Sequence, residues 1–177
     1  DGGAGAFAKR RYRGRRKELM RKEGRIMAIT GVPYGPGGKT TWAYAYCPTY
    51  QEPAIMYLTG INQSNVILLL DPDSKISDEI LFVDSRDRFM EFWEGVRFGV
   101  GDDQSLKEVR SVTGIQDVRD IREFKDVLKE RLFKQKKKAL GTLWLEGTRQ
   151  GKPCAIKTDH NYDFKKKLEG WLRSWKV

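Results

Sequence analysis

VILLLDPDSKISDEILFV, residues 66–83, holds two apolar runs divided by a polar turn. Val66–Leu70 is apolar without interruption, as a strand buried on both faces must be. Asp71-Pro72-Asp73 ends it, because proline has no N–H for a ladder and aspartate favours turns. Ile80–Val83 is a second apolar run of strand length. The pair predicts a β-hairpin, and therefore an antiparallel step in whatever sheet the chain builds.

Upstream, Arg25–Thr30 (RIMAIT) reads as another strand. Phe7–Glu23 before it reads as a basic amphipathic helix, with Phe7, Leu19 and Met20 on one face. Gly31–Gly38 is dense in glycine and proline and is a loop. Ala54–Leu58 fits a short helix or a short strand. Downstream, Arg86–Trp93 reads as one or two helical turns stopped at Gly95, and Ser105–Val112 as a second short helix. Ile121, Phe124, Leu128 and Leu132 recur at helical spacing within Ile121–Lys137. Leu140–Leu145 is a further strand. Tyr162–Trp175 is a terminal amphipathic helix with Phe164, Leu168, Trp171, Leu172 and Trp175 on one side, facing the core or a domain contact. Helices alternate with strands, which predicts an α/β fold with a mixed sheet. Residues 1–6, rich in Gly and Ala, read as a cloning remnant or disordered tail, and 7–177 as a single domain.

At 177 residues and 39% hydrophobic content, the chain can bury one core. Its mean hydropathy of -0.63 and the lack of a long apolar run argue against a membrane span. Asp1–Ala8 has no apolar region of a secretory leader. Cys47 and Cys154 are read as free thiols, which suits the cytoplasm or an organelle matrix. The formal charge is +10. No RNA-recognition motif, zinc-finger spacing or aromatics interleaved with basic residues accompanies it. Nucleic acid is therefore not the expected partner; the charge is read as solubilising, or as facing an acidic partner domain.

Gly38-Lys39-Thr40 imitates the end of a phosphate-binding loop. The first glycine of that motif falls on Pro33, which has no N–H to aim at a phosphate. Tight nucleotide binding is not expected. His160 is the single histidine. One histidine cannot supply a converging metal set, nor both parts of a serine or cysteine triad. The carboxylate pairs Asp71/Asp73 and Asp102/Asp103 are read as solvated turn residues. No catalytic, metal or cofactor-binding residue is assigned.

Thr49-Tyr50-Gln51 followed by Met56-Tyr57-Leu58-Thr59-Gly60 resembles the Y-R-Q…F-x-Y-L-T-G segment of aminopeptidase P N-terminal domains, with Tyr50 where that family usually has arginine. Arg86-Asp87, Glu91, Trp93, Gly95, Arg97 and Gly99 resemble its R-D…E-x-W-x-G-x-R-x-G. The resemblance covers Phe7 to Leu145. It implies a mixed sheet with helices on both faces, like the N-terminal domains of the creatinase and aminopeptidase P group. It also implies a following C-terminal domain of pita-bread fold, which carries two manganese ions on two Asp, one His and two Glu. That domain removes the residue before a penultimate proline. The N-terminal domain would border the active-site cleft and make subunit contacts in a homo-oligomer. Tyr57, Thr59, Gly60, Arg86, Asp87, Trp93, Gly95 and Arg97 are the residues carried over, chiefly in structural roles, with Trp93 expected in the core. An interaction module of a pita-bread relative without peptidase activity stays open, as does a nucleic-acid or nucleotide binder.

Overall fold

The computed structural model describes residues 4–31, 52–134, 148–149, 152–153 and 160–175. The Gly/Pro loop with Lys39, Cys47 and Tyr50, the strand expected at Leu140–Leu145, and Cys154 lie outside them. Helix α1 (Ala4–Glu23) leads into strand β1 (Met27–Thr30). Helix α2 (Pro53–Thr59), β2 (Ile67–Leu70), β3 (Glu79–Val83), helix α3 (Arg88–Glu94), helix α4 (Asp103–Thr113) and β4 (Asp117–Asp120) follow. A 3-10 turn (Ile121–Glu123) runs into α5 (Phe124–Lys134); a two-rung ladder joins β5 (Thr148–Arg149) to β6 (Lys152–Pro153), and α6 (His160–Ser174) comes last. Residues 4–6, assigned to the tail from the sequence, are the first turn of α1.

The sheet order is β1-β2-β3-β4. β2 pairs antiparallel with both β1 and β3, Ile67 opposite Phe82 and Leu70 opposite Glu79. β4 pairs parallel with β3. The hairpin and the mixed sheet are thus present. Strand alternation sends Met27, Ile29, Leu68, Leu70, Leu81 and Val83 to one face, against Met20, Ile55, Leu58 and Val109. It sends Ala28, Ile67, Leu69, Ile80 and Phe82 to the other, against Phe124, Leu128 and Leu132 of α5 and Leu168 of α6. Helices cover both faces, α1, α2 and α4 on one and α5 and α6 on the other. Phe82 meets Phe124 edge-on at 5.2 Å between centroids, a favoured aromatic geometry.

The segment left between helix and strand, Ala54–Leu58, is helical because Pro53 sits at its first turn and Gly60 caps it with φ 77. Phe7, placed on the buried face of α1, is 61% exposed instead. The inward face is Tyr12, Arg16, Leu19 and Met20, so one of the arginines read as covering the outer surface turns inward. Asp71 is also corrected: it is buried, 3.5 Å from Arg131 Nη1, while its backbone N–H and C=O close the hairpin turn. Asp102 caps α4 by accepting from the Ser105 N–H at 2.7 Å.

Arg16 is the central tie of the first face. It is fully buried. Its Nη1 donates to Leu58 O at 2.7 Å and Thr113 O at 3.1 Å, and its Nη2 to Glu79 Oε2 at 2.9 Å. A helix leaves its last carbonyls without internal partners. One guanidinium therefore satisfies the ends of α2 and α4 together. Those ends are twins: Thr59-Gly60-Ile61 and Thr113-Gly114-Ile115. Each threonine hydroxyl donates one turn back, to Ile55 O or Val109 O, and accepts from the isoleucine N–H.

Candidate functional site

The carboxyl ends of β3 and β4 open onto a cleft of about 340 Å³ lined by Asn65, Asp84, Ser85, Arg86, Asp87, Arg97, Phe98, Asp120 and Arg122. Parallel strands commonly present ligand sites at this end, where the loops diverge. Six of the nine lining side chains are charged, three of each sign, so the charges around the cleft balance.

Three local structures fix it. Arg86 donates twice to Glu91, Nε to Oε1 and Nη2 to Oε2, both at 2.7 Å, and its Nη1 reaches Ser105 Oγ at 3.1 Å. This fork joins the loop after β3 to α3 and the first turn of α4. Asp87 Oδ1 accepts from the Phe89 N–H at 3.0 Å and so caps α3. Gly95 closes that helix with φ 88, its N–H on Glu91 O at 2.9 Å. Returning to the sheet, the chain brings Gly99 against the strand end: a Cβ there would lie 2.7 Å from Arg86 Cγ and 2.8 Å from Asp84 O. Only glycine permits that approach.

The second structure is a reciprocal amide pair. Gln63 Nε2 donates to Phe98 O and the Phe98 N–H donates to Gln63 Oε1, both at 2.8 Å. It holds Arg97 with its Nη2 on Ser64 Oγ at 2.8 Å. The third spans the two strand ends. Arg122 grips Asp120 through Nε and Nη2 at 2.8 and 2.7 Å and reaches Ser85 Oγ at 3.1 Å, while the Ser85 hydroxyl donates to Asp120. Asn65, held at φ 55, donates to Asp84 Oδ2 at 2.9 Å.

The carboxylates titrate in opposite directions. Burial pushes the Asp84 carboxyl above its ordinary value, against the Asn65 hydrogen bond. The Arg122 hydrogen bonds hold Asp120 well below the usual range. The Arg86 hydrogen bonds likewise lower Glu91.

Of the residues singled out from sequence, Arg86, Asp87 and Arg97 meet at the cleft. Tyr57, Thr59 and Gly60 lie apart, at the end of α2. Arg15 lies over the Tyr57 ring at 3.9 Å and donates to Tyr57 O at 2.8 Å. Thr59 is buried in its cap, and a Cβ on Gly60 would fall 2.6 Å from the Tyr12 ring. Trp93 belongs to α3, but its side chain lies outside the described residues; Phe92 is 80% exposed. Sequence reading missed Asp84, Ser85, Asp120 and Arg122. A signal existed in the runs Asp84-Ser85-Arg86-Asp87 and Asp120-Ile121-Arg122, each of which follows a valine or an arginine at a strand end. Among the described residues no group of three His, Cys, Asp or Glu could hold a metal ion.

An α/β domain of this topology is found in known proteins. Residues 12–140 match the model of the aminopeptidase P N-terminal domain, and the chain belongs to that family. It is 34% identical over 96 residues to intermediate cleaving peptidase 55 of Saccharomyces cerevisiae, covering 52% of this chain and 18% of that one. It is 40% identical over 53 residues to the Xaa-Pro aminopeptidase of Haemophilus influenzae, covering 30% and 12%. In fold it is similar to the solved aminopeptidase PepP of Pseudomonas aeruginosa, with a TM-score of 0.59 and 21% identity over 94% of this chain and 32% of that one. The chain therefore spans less than a third of the length of each relative.

Proposed function

We propose that this chain is the non-catalytic N-terminal domain of an Xaa-Pro aminopeptidase-like metallopeptidase, and that a C-terminal catalytic domain of pita-bread fold is its partner. The observation that carries the reading is the family match over residues 12–140. Among the described residues no cluster of His, Cys, Asp or Glu fits the two manganese ions such an enzyme would use. The catalytic domain would hold both. The role of this domain is to border the active-site cleft, restricting substrate to short peptides and excluding bulk water from the reaction. The cleft at the ends of β3 and β4 is the surface we assign to that border.

Subunit contact is supported by a second surface. Phe89 and Phe92, one turn apart on α3, and Val96 just beyond it are all more than two-thirds exposed. Such a patch suits an oligomer interface. The cytoplasm or an organelle matrix is the proposed compartment. Among the described residues no helix is long and apolar enough to cross a membrane.

The test is an assay of the purified chain with manganese and a peptide bearing proline at its second position. No release of the N-terminal residue is expected. Manganese-dependent release that survives repurification would overturn the assignment.

A further inference from the structure

One carboxylate at the cleft has an oxygen to spare. The three guanidiniums there are already bonded: Arg86 to Glu91, Arg122 to Asp120, and Arg97 to Ser64. Asp120 accepts through both of its oxygens, and Asp87 caps α3. Asp84, which directly follows β3, differs. Its Oδ2 accepts from Asn65 Nδ2 at 2.9 Å, while its Oδ1 has no hydrogen-bond partner among the described residues. Arg97 and Arg122 act on Asp84 through space, and neither forms an ion pair with it.

The balance of the lining charges changes once bonded partners are counted. Glu91, which takes Arg86, stands behind the lining residues. With it, the carboxylates of Asp84, Asp87, Glu91 and Asp120 face three guanidiniums, leaving one negative charge in excess. Burial raises the Asp84 carboxyl in spite of the two arginines, so its charge is incompletely compensated. A cation brought to Oδ1 supplies that compensation. The chain as a whole carries +10, which repels cations at long range. A preference for a cation at this cleft must therefore arise locally.

The kind of cation follows from the shape and wall of the cleft. A metal ion needs several converging ligands, and among the described residues no group of three His, Cys, Asp or Glu provides them. The volume of about 340 Å³ exceeds what a bare ammonium fills, and the wall is largely carbon, with Phe98 its one apolar residue among those described. A long basic side chain suits both features: its methylenes lie along the carbon wall and its charged head reaches the carboxylate. An acidic side chain would meet Asp84 and find the guanidiniums already bonded. We propose that this cleft binds the side chain of a lysine or arginine within a peptide, with Asp84 Oδ1 accepting a hydrogen bond from its charged head. That the ligand is a peptide rests on the reading of the cleft as the border of a peptide-hydrolysing site; the recognition of the basic group does not.

The test is a nitrogen–proton chemical-shift titration of the full 177-residue chain with the peptides Gly-Gly-Xaa-Gly-Gly, in which Xaa is lysine, arginine, norleucine or glutamate. The lysine and arginine peptides should shift the amides of Ser85, Arg97 and Asp120 and bind about tenfold more tightly than the norleucine peptide, the scale of one hydrogen bond to a charged group. The glutamate peptide should bind more weakly than norleucine. Asp84→Asn keeps the size of the side chain and should remove the preference for a basic residue. Asp103→Asn, exposed on α4 outside the cleft, should keep it. Should Asp84→Asn disturb the fold, the order of the four peptides on the parent chain decides alone. Equal affinity for lysine and norleucine at the cleft overturns the proposal and leaves the border assignment standing. Tightest binding of the glutamate peptide overturns it in favour of diffuse positive charge. Butylammonium chloride binding as tightly as the lysine peptide overturns the peptide as the source of the cation. Shifts confined to residues away from the cleft overturn the proposal and the border assignment together.

Discussion

Arg16 and Arg86 both pair with a glutamate, and they serve opposite ends of the domain. Arg16 has no exposed surface and ties three elements distant in sequence, α2, α4 and β3. Arg86 retains 20% exposure and joins neighbours in one stretch of chain, the loop after β3, α3 and the start of α4. The first closes the core; the second frames an open cleft. Arg86 stood in the most recognisable motif of the sequence, whereas Arg16 stood in a run that reads only as basic. For these two arginines, legibility in sequence followed the motif and not the depth of burial.

Removing the buried member should have the largest effect. Arg16→Ala leaves Glu79 and two helix-end carbonyls without their donor, and breaking a buried pair in this way costs about 3–5 kcal/mol. Chemical denaturation should report a loss of that size; a loss under about 1 kcal/mol would show that water replaces the guanidinium freely.

The twin helix ends sharpen the contrast. Gly60→Ala meets both a left-handed backbone and the Tyr12 ring, and should lose about 2 kcal/mol. Gly114 has nearly the same φ, but its nearest neighbour to a new Cβ lies at 3.7 Å. Gly114→Ala should lose about 1 kcal/mol, from the backbone alone. Equal losses at the two sites would remove any role for Tyr12 in holding α2 to α1.

Arg86→Ala should lose about 1–2 kcal/mol, the scale of hydrogen bonds to a charged group at a partly exposed site. Its pH signature is more telling. Glu91 is lowered, so its contribution is present above the ordinary glutamate range and is lost as pH falls through its folded value. Asp84 is raised, so between its ordinary and its folded value the native state holds more protons and stability falls as pH rises. Glu91→Gln should flatten the acid limb of the stability profile, and Asp84→Asn should remove the opposing slope. Identical profiles for the two variants would contradict these assignments. The smallest effect is expected at Arg122, whose side chain is 81% exposed. Arg122→Gln should leave the urea midpoint unchanged within error, and a clear shift would mean that the bridge across the strand ends bears on the whole fold.

Much of the fold was readable because its central strands are apolar on both faces. Val66–Leu70 and Ile80–Val83 leave little alternative to a buried hairpin. β4 escaped notice because Asp117-Val118-Arg119-Asp120, the last strand of the sheet among the described residues, sends Val118 alone into the core, so no alternating pattern exists to be read. Arg16 escaped because apolar periodicity assigns inward positions to apolar residues, and a guanidinium whose Nη1 and Nη2 reach three partners can stand in the interior without being apolar. The cleft was half visible. Arg86, Asp87 and Arg97 carry the motif, whereas Asp84, Ser85, Asp120 and Arg122 converge only through the parallel register of β3 and β4.

The reach of Arg16 also bears on timing. Its carbonyl partners lie 42 and 97 residues further along the chain. During synthesis α1 emerges before α2 and α4, and its guanidinium waits for Thr113 before the junction can close. A helix made before its partners is thus locked only after them, and the closure entropy of that long loop is recovered only when α4 docks.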